Sequence, residues 1–307
     1  MKYLFLLLAT VGFQFALANA PSVVTTTTDL AWVAGELLGS PKNQVRSLLS
    51  GTENPHFMDA SPNFIRWTAD ADVVCLVGLD LEVGWLPKVL SRSGNSKVQP
   101  GGSGYCNVGK AIQPLEVPEG PIDRSMGDVH PLGNPHFWLS PSALAEGATA
   151  VAEALAAADP KSAALYQSRL KALQARLKTL QDSNKKRIDA LKQKPLVIEY
   201  HKEFTYFLSA YGLKSFGSIE EKPGVPPSAG RIAEIAQRAK AAGVTLVLAA
   251  EYSPKKTLER FEELSGIPVL TVPTSLSKDE MDYDAYQNGL VEKIVNLAGK
   301  RVATSDK

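Results

Sequence analysis

The feature that most constrains the fold of this 307-residue chain is an alternation of short β-rich runs with amphipathic helical stretches, present twice and separated by one long helical segment. In the first half, candidate strands at Ser22–Thr28, Val45–Leu49 and Val73–Gly78 alternate with candidate helices at Asp29–Leu38, Pro62–Ala69 and Val83–Leu90. A Gly/Ser/Pro-rich stretch, Ser91–Pro135, carries little regular pattern, and Pro141–Ala157 reads as an Ala-rich helix. Alternation resumes with strands at Leu196–Tyr200, Ser215–Ile219, Thr245–Ala250 and Pro268–Val272, between helices at Phe204–Tyr211, Ala229–Ala242, Pro254–Ser265 and Tyr283–Ala298. Repeated βα units imply parallel sheets covered by helices.

Between the halves, Leu170, Leu173, Leu177 and Leu180 recur at helical spacing, with Leu165 before them and Ile188 and Leu191 after. Lys and Arg fill the other faces, so Lys161–Gln193 is predicted to be one amphipathic helix ended by Pro195. It would reach roughly 45–50 Å, enough to traverse two lobes. A coiled-coil dimer is the rival reading, but the heptad matches are too few to prefer it. The predicted fold is therefore α/β: two lobes of parallel (βα) repeats joined by one long linking helix. The boundaries are a signal peptide at 1–18, an amino-terminal lobe at 19–160, the linking helix at 161–194 and a carboxy-terminal lobe at 195–307.

The leader sets the expected compartment. Met1-Lys2 is a positive start, Tyr3–Ala16 is almost wholly apolar, and Ala16-Leu17-Ala18 fits a small-x-small cleavage site, so the mature chain starts near Asn19. The apolar run is shorter than the ~20 residues of a spanning helix. No cysteine lies near the cut, so an exported, soluble protein without a membrane anchor is expected. With 33 Lys+Arg against 32 Asp+Glu, the chain has no basic surplus for phosphate contacts, which argues against nucleic acid. The two cysteines, Cys75 and Cys106, are an even pair that an oxidising compartment would favour as a disulfide. Cys75 also sits in an apolar run, where a buried thiol is the alternative.

Four histidines remain, His56, His130, His136 and His201. His56 follows a strand in its loop, and His201 comes directly after another. Ligands of open α/β sheets collect at the carboxyl ends of strands. His136 lies in a loop free to reach the same edge. The tetrapeptide Asn54-Pro55-His56-Phe57 recurs as Asn134-Pro135-His136-Phe137, and each copy precedes a Ser-Pro suited to a helix start, Ser61-Pro62 and Ser140-Pro141. The Asn-Pro stiffens the turn that presents the imidazole.

These blocks resemble the solute-binding proteins of zinc/manganese ABC transporters. The likeness runs over essentially the whole mature length. It is carried by Gly51–Pro62 (GTENPHFMDASP), Ala71–Leu86 (ADVVCLVGLDLEVGWL), Asn134–Pro141 (NPHFWLSP), Tyr200–Phe207 (YHKEFTYF) and Ile219–Gly224 (IEEKPG). The resemblance implies that His56 and His136 are amino-lobe metal ligands and His201 the first carboxy-lobe ligand. A carboxylate often supplies a fourth ligand in the family, but Thr274 stands at the matching place here. Glu220 and Glu251 match acidic positions and are expected to orient imidazoles or to ligate. His130 lies in the loop where zinc-type relatives carry many histidines. It is expected to be an exposed residue or an auxiliary metal contact.

Three imidazoles without a certain carboxylate suit Zn²⁺, whereas Mn²⁺ prefers oxygen ligands; Cu²⁺ and Ni²⁺ would also bind. The expected function is capture of Zn²⁺, as transported ligand, by a monomer that delivers it to a membrane permease. A zinc hydrolase using a His₃-bound water is an alternative, but the chain has no His-Glu-x-x-His helix, and no enzyme is expected. A binder of an organic or iron-chelate ligand is another, with Trp67, Trp85 and Trp138 as candidate cleft aromatics.

Overall fold

The computed structural model describes residues 20–39, 45–120, 122, 126–127 and 129–305, with side chains as far as residue 299. The leader and its cleavage site lie outside the described residues. The chain builds two parallel four-stranded sheets. In the amino-terminal lobe they are β1 (Val23–Thr25), β2 (Val45–Ser47), β3 (Val73–Leu76) and β4 (Tyr105–Asn107), in the order β2-β1-β3-β4. In the carboxy-terminal lobe they are β5 (Leu196–Glu199), β6 (Lys214–Ser218), β7 (Leu246–Ala250) and β8 (Val269–Val272), in the order β6-β5-β7-β8. Both lobes thus share one topology, and the parallel pairing follows from the βα alternation.

The helices α1 (Thr28–Leu38), α2 (Pro62–Ala69), α3 (Leu86–Ser93), α4 (Pro141–Ala158) and α5 (Ala163–Asp189) precede the second sheet. The helices α6 (Thr205–Tyr211), α7 (Ala229–Ala241), α8 (Lys255–Ser265) and α9 (Tyr283–Ser305) are interleaved with its strands or follow it. Two differences from the predicted elements have plain causes. The edge strand β4 was hidden in the Gly-rich stretch because it is three residues long, preceded by Gly104. The helix expected from Val83 begins only at Leu86, because Gly78, Leu79 and Asp80 form a left-handed run with φ of 80°, 52° and 64°. Glu82 holds that run by accepting hydrogen bonds from Val77 N, Gly78 N and Thr26 Oγ1.

The linking helix α5 has 27 residues, about 40 Å, somewhat shorter than expected. Its buried stripe is Tyr166, Leu170, Leu173, Leu177, Leu180, Asn184 and Ile188. Leu165 is exposed and off this stripe, because Tyr166, four residues before Leu170, takes the inward position. The stripe packs against α1 and α4 on one side and α6 and α9 on the other. One continuous apolar core consequently runs from Val23 through α5 to Ile294. Each buried leucine in it contributes on the order of 2 kcal/mol of transfer free energy.

Hydrogen bonds lock the lobes together where α5 does not reach. The segment after β8 is fastened to the amino-terminal lobe by Thr28 Oγ1 to Leu276 O (2.7 Å), Trp138 Nε1 to Thr274 O (2.7 Å) and Lys278 N to Ser50 O (3.1 Å). Gly51, at φ 96°, is required there, since a Cβ would lie 1.9 Å from the Leu276 carbonyl oxygen.

Candidate metal centre

The duplicated tetrapeptides fold as duplicated turns. Asn54 Oδ1 accepts the His56 backbone N–H, and Asn134 Oδ1 accepts that of His136, both at 3.0 Å. Each turn then enters a helix whose Ser cap accepts a backbone N–H, Ser61 from Phe64 and Ser140 from Ala143, with proline in the first turn. Trp85 Nε1 donates to the Pro55 carbonyl at 2.9 Å and braces the first turn. The second is braced from the opposite lobe, where Tyr206 Oη donates to the Asn134 carbonyl at 2.9 Å.

The two turns and the loop after β5 bring three imidazoles together. One ring nitrogen from each of His56, His136 and His201 lies within 4.8 Å of the others, and the His56 and His136 Nε2 atoms are 3.0 Å apart. His56 and His136 are buried and His201 is half-buried. Burial first, then the neighbouring His56, His201 and His130 rings, hold the His136 imidazole well below its usual pKa, so it stays neutral and can offer a lone pair.

The ring orientations are set by partners behind the cluster. Asn134 Oδ1 also lies 3.0 Å from His136 Nδ1, and as an acceptor it places the ring proton there. A neutral His136 therefore turns an unprotonated Nε2 toward His56, whose own Nε2 carries the proton between them. His201 Nδ1 lies 2.9 Å from Glu220 Oε2, which also accepts Gly224 N–H. Both patterns direct Nε2 into the cleft. Asn134 extends across it as well, donating through Nδ2 to the Lys202 carbonyl at 2.7 Å and to Glu116 Oε2 at 3.0 Å.

The other sequence-derived candidates fall in distinct places. His130 is half-buried rather than exposed, with its ring centroid 5.0 Å from that of His56 and 6.5 Å from that of His136. Thr274 is buried, but its hydroxyl points to Tyr252 Oη at 3.5 Å. Glu251 is exposed and stands outside the histidine group, beside Gly51, Pro273 and Ser275. Among the described residues no carboxylate joins the three imidazoles. Trp85 and Trp138 are fully buried packing residues. Cys75 and Cys106 are both buried and stand apart from the histidine group.

Two acidic residues border the site, and of these Glu116 has no signal in the sequence, whereas Glu203 adjoins His201 in the strand-to-helix turn after β5. Glu116 gathers Lys202 Nζ (2.6 Å), Thr205 Oγ1 (3.0 Å) and Asn134 across the cleft. Burial acts to raise its carboxyl, but the Lys202 and Asn134 hydrogen bonds outweigh that and hold it below the usual range. Glu203 is buried beside His201, accepts Tyr252 O–H at 2.6 Å, and has its carboxyl raised chiefly by desolvation.

Comparison with known proteins places this geometry. Residues 23–298 match the family model for the periplasmic zinc-uptake complex component A, ZnuA. The chain belongs to that family. Among relatives, it is 26% identical over 293 residues to the iron ABC transporter substrate-binding lipoprotein MtsA of Streptococcus pyogenes, covering 92% of this chain and 90% of that one. It is 23% identical over 285 residues to the manganese ABC transporter substrate-binding lipoprotein PsaA of Streptococcus mitis, covering 90% and 87%. Its fold is similar to that of the periplasmic zinc-binding protein TroA from Treponema pallidum, with a TM-score of 0.74, 20% identity, and 91% and 99% coverage. Two lobes of parallel sheets on one long helix are thus the ZnuA-family architecture in this chain as well.

Proposed function

We propose that this ZnuA-family chain captures a divalent transition metal, Zn²⁺ foremost, between its lobes with His56, His136 and His201 and passes it to the permease of an ABC transporter. The observation that carries this reading is the convergence of three ring nitrogens from two lobes within 4.8 Å. Three imidazoles are a zinc-type donor set, whereas manganese sites draw more on carboxylate and carbonyl oxygen. A water completes the tetrahedron, since Thr274 is turned to Tyr252 and Glu251 lies outside the group. Glu220 holds the His201 ring and adds negative charge behind it, and His130 serves as an auxiliary contact beside His56. Metal entry displaces the proton shared between the His56 and His136 Nε2 atoms, so binding releases or relocates it.

The apolar leader supports export to the periplasm, and the family and its named ABC-transporter relatives support delivery to a permease. A monomer suffices, because both halves of the site lie in one chain. Titration calorimetry of the metal-stripped chain tests the reading. One Zn²⁺ per chain is expected, at least 100-fold tighter than Mn²⁺, with a loss of at least 100-fold in His136→Ala. Zinc binding indifferent to His136, or Mn²⁺ binding as tightly as Zn²⁺, would overturn it.

A further inference from the structure

The metal centre does not use Cys75 or Cys106, yet the fold places them side by side. They are direct partners in the parallel ladder between β3 and β4. Paired residues of adjacent parallel strands project from the same face. Both cysteines accordingly lie in the large core under α4, while their neighbours Val74 and Tyr105 lie on the opposite side of the sheet. Adjacent strands run about 4.8 Å apart, inside the range of roughly 4.4–6.8 Å usual between the Cα atoms of a disulfide. The neighbouring Cys106 thiol, together with burial, raises the Cys75 thiol.

We propose that Cys75 and Cys106 are joined by an intramolecular disulfide in the exported protein. The bond forms by exchange with an external disulfide, such as an oxidised dithiol protein or oxidised glutathione. One cysteine thiolate attacks the donor, giving a mixed disulfide and releasing the first donor thiolate. The second cysteine thiolate then attacks the bonded protein sulfur, closing the protein S–S bond and releasing the second donor thiolate. The two protons lost by the cysteines end on the donor thiols, and the two electrons reduce the donor. Both cysteines are buried in the finished fold, so the exchange occurs before β4 docks. That order is natural for a three-residue strand at the edge of its sheet.

The cross-link closes a loop that contains α3 and the left-handed run at Gly78-Leu79-Asp80. It ties down the edge strand that carries Asn107, whose side chain packs against Gly78. This inference is independent of metal choice. The test is thiol counting on the full chain, exported to an oxidising compartment or made in the reducing cytosol. Each sample is denatured with maleimide in the absence of reductant and weighed by mass spectrometry. The exported monomer should take no label until reduced and then two, and the cytosolic form should lose both sites when it is unfolded and refolded in the presence of oxidised glutathione. The oxidised form should melt roughly 5 °C above the reduced one, as expected for closing a loop of this length in a chain of this size. That difference should vanish in Cys75→Ala/Cys106→Ala. Two alkylatable thiols in the exported chain, a bond between chains, or equal melting of the two forms would overturn the proposal.

Discussion

Replacing Asn134 by alanine tests how the cleft is held ready without touching a ligand. The side chain makes four hydrogen bonds: Oδ1 accepts the backbone and ring N–H groups of His136, and Nδ2 donates to Lys202 O and Glu116 Oε2. It therefore fixes the His136 tautomer and joins the two lobes one residue from His201. In Asn134→Ala the buried His136 ring loses that partner, and nothing selects the Nδ1-protonated tautomer over its twin. Partners of this kind are worth 10–100-fold in metal affinity, or about 1.4–2.7 kcal/mol. An unsatisfied buried ring N–H costs about 1–3 kcal/mol, so the two figures agree in scale. Competition calorimetry with a chelator of known affinity reads the Zn²⁺ constant. Thermal unfolding of the metal-free variant reads the part that belongs to folding alone. The expected result is a loss of 10–100-fold in Zn²⁺ affinity with one metal still bound per chain. A metal-free chain that is destabilised but binds Zn²⁺ within twofold of the parent would refute the reasoning, because Asn134 would then be only a lobe brace.

Two further outcomes follow from the same structure. Glu220 orients His201 and supplies charge, so Glu220→Gln should lower Zn²⁺ affinity about tenfold and Glu220→Ala about 100-fold, read by the same competition assay; equal losses would mean that the charge is irrelevant. Asp29 lies on α1 and accepts Leu276 N–H at 3.3 Å, and burial raises its carboxyl from 3.8 to about 7. A folded-state pKa raised above the unfolded value stabilises most below about pH 4, and the contribution is lost as pH rises through 7. The three-unit difference corresponds to about 4 kcal/mol, so Asp29→Asn should be more stable than the parent at pH 8 and lose that advantage by pH 4. Urea unfolding at the two pH values checks this, and parallel behaviour of variant and parent would exclude it.

What could be read in the chain and what could not divides along a physical line. The strands, the linking helix and the three imidazoles rest on local chemistry: βα periodicity, a leucine stripe, and an Asn-Pro turn that caps its own histidine wherever it occurs. Pro62 and Pro141, each behind a capping serine, mark helix starts for the same reason. Strand β4 escaped because three residues beside glycine carry no period, although their pairing with β3 is what puts Cys106 opposite Cys75. Thr274 could be placed at the end of a strand, but the partners of its carbonyl and hydroxyl, Trp138 and Tyr252, lie 136 and 22 positions away. His130 could be placed in a loop, but its approach to His56 is a contact across 74 positions that no local pattern marks. The deepest omissions are Glu116, which meets Lys202 and Thr205 across 86 and 89 positions, and Asp29, which meets Leu276 across 247. Such pairs form only when the lobes dock, so neither segment announces them. They also join the amino-terminal lobe to the lobe that carries His201. Selectivity in this chain should therefore respond to substitutions at Glu116 and Asn134, where no ligand atom resides, as well as to changes at the imidazoles.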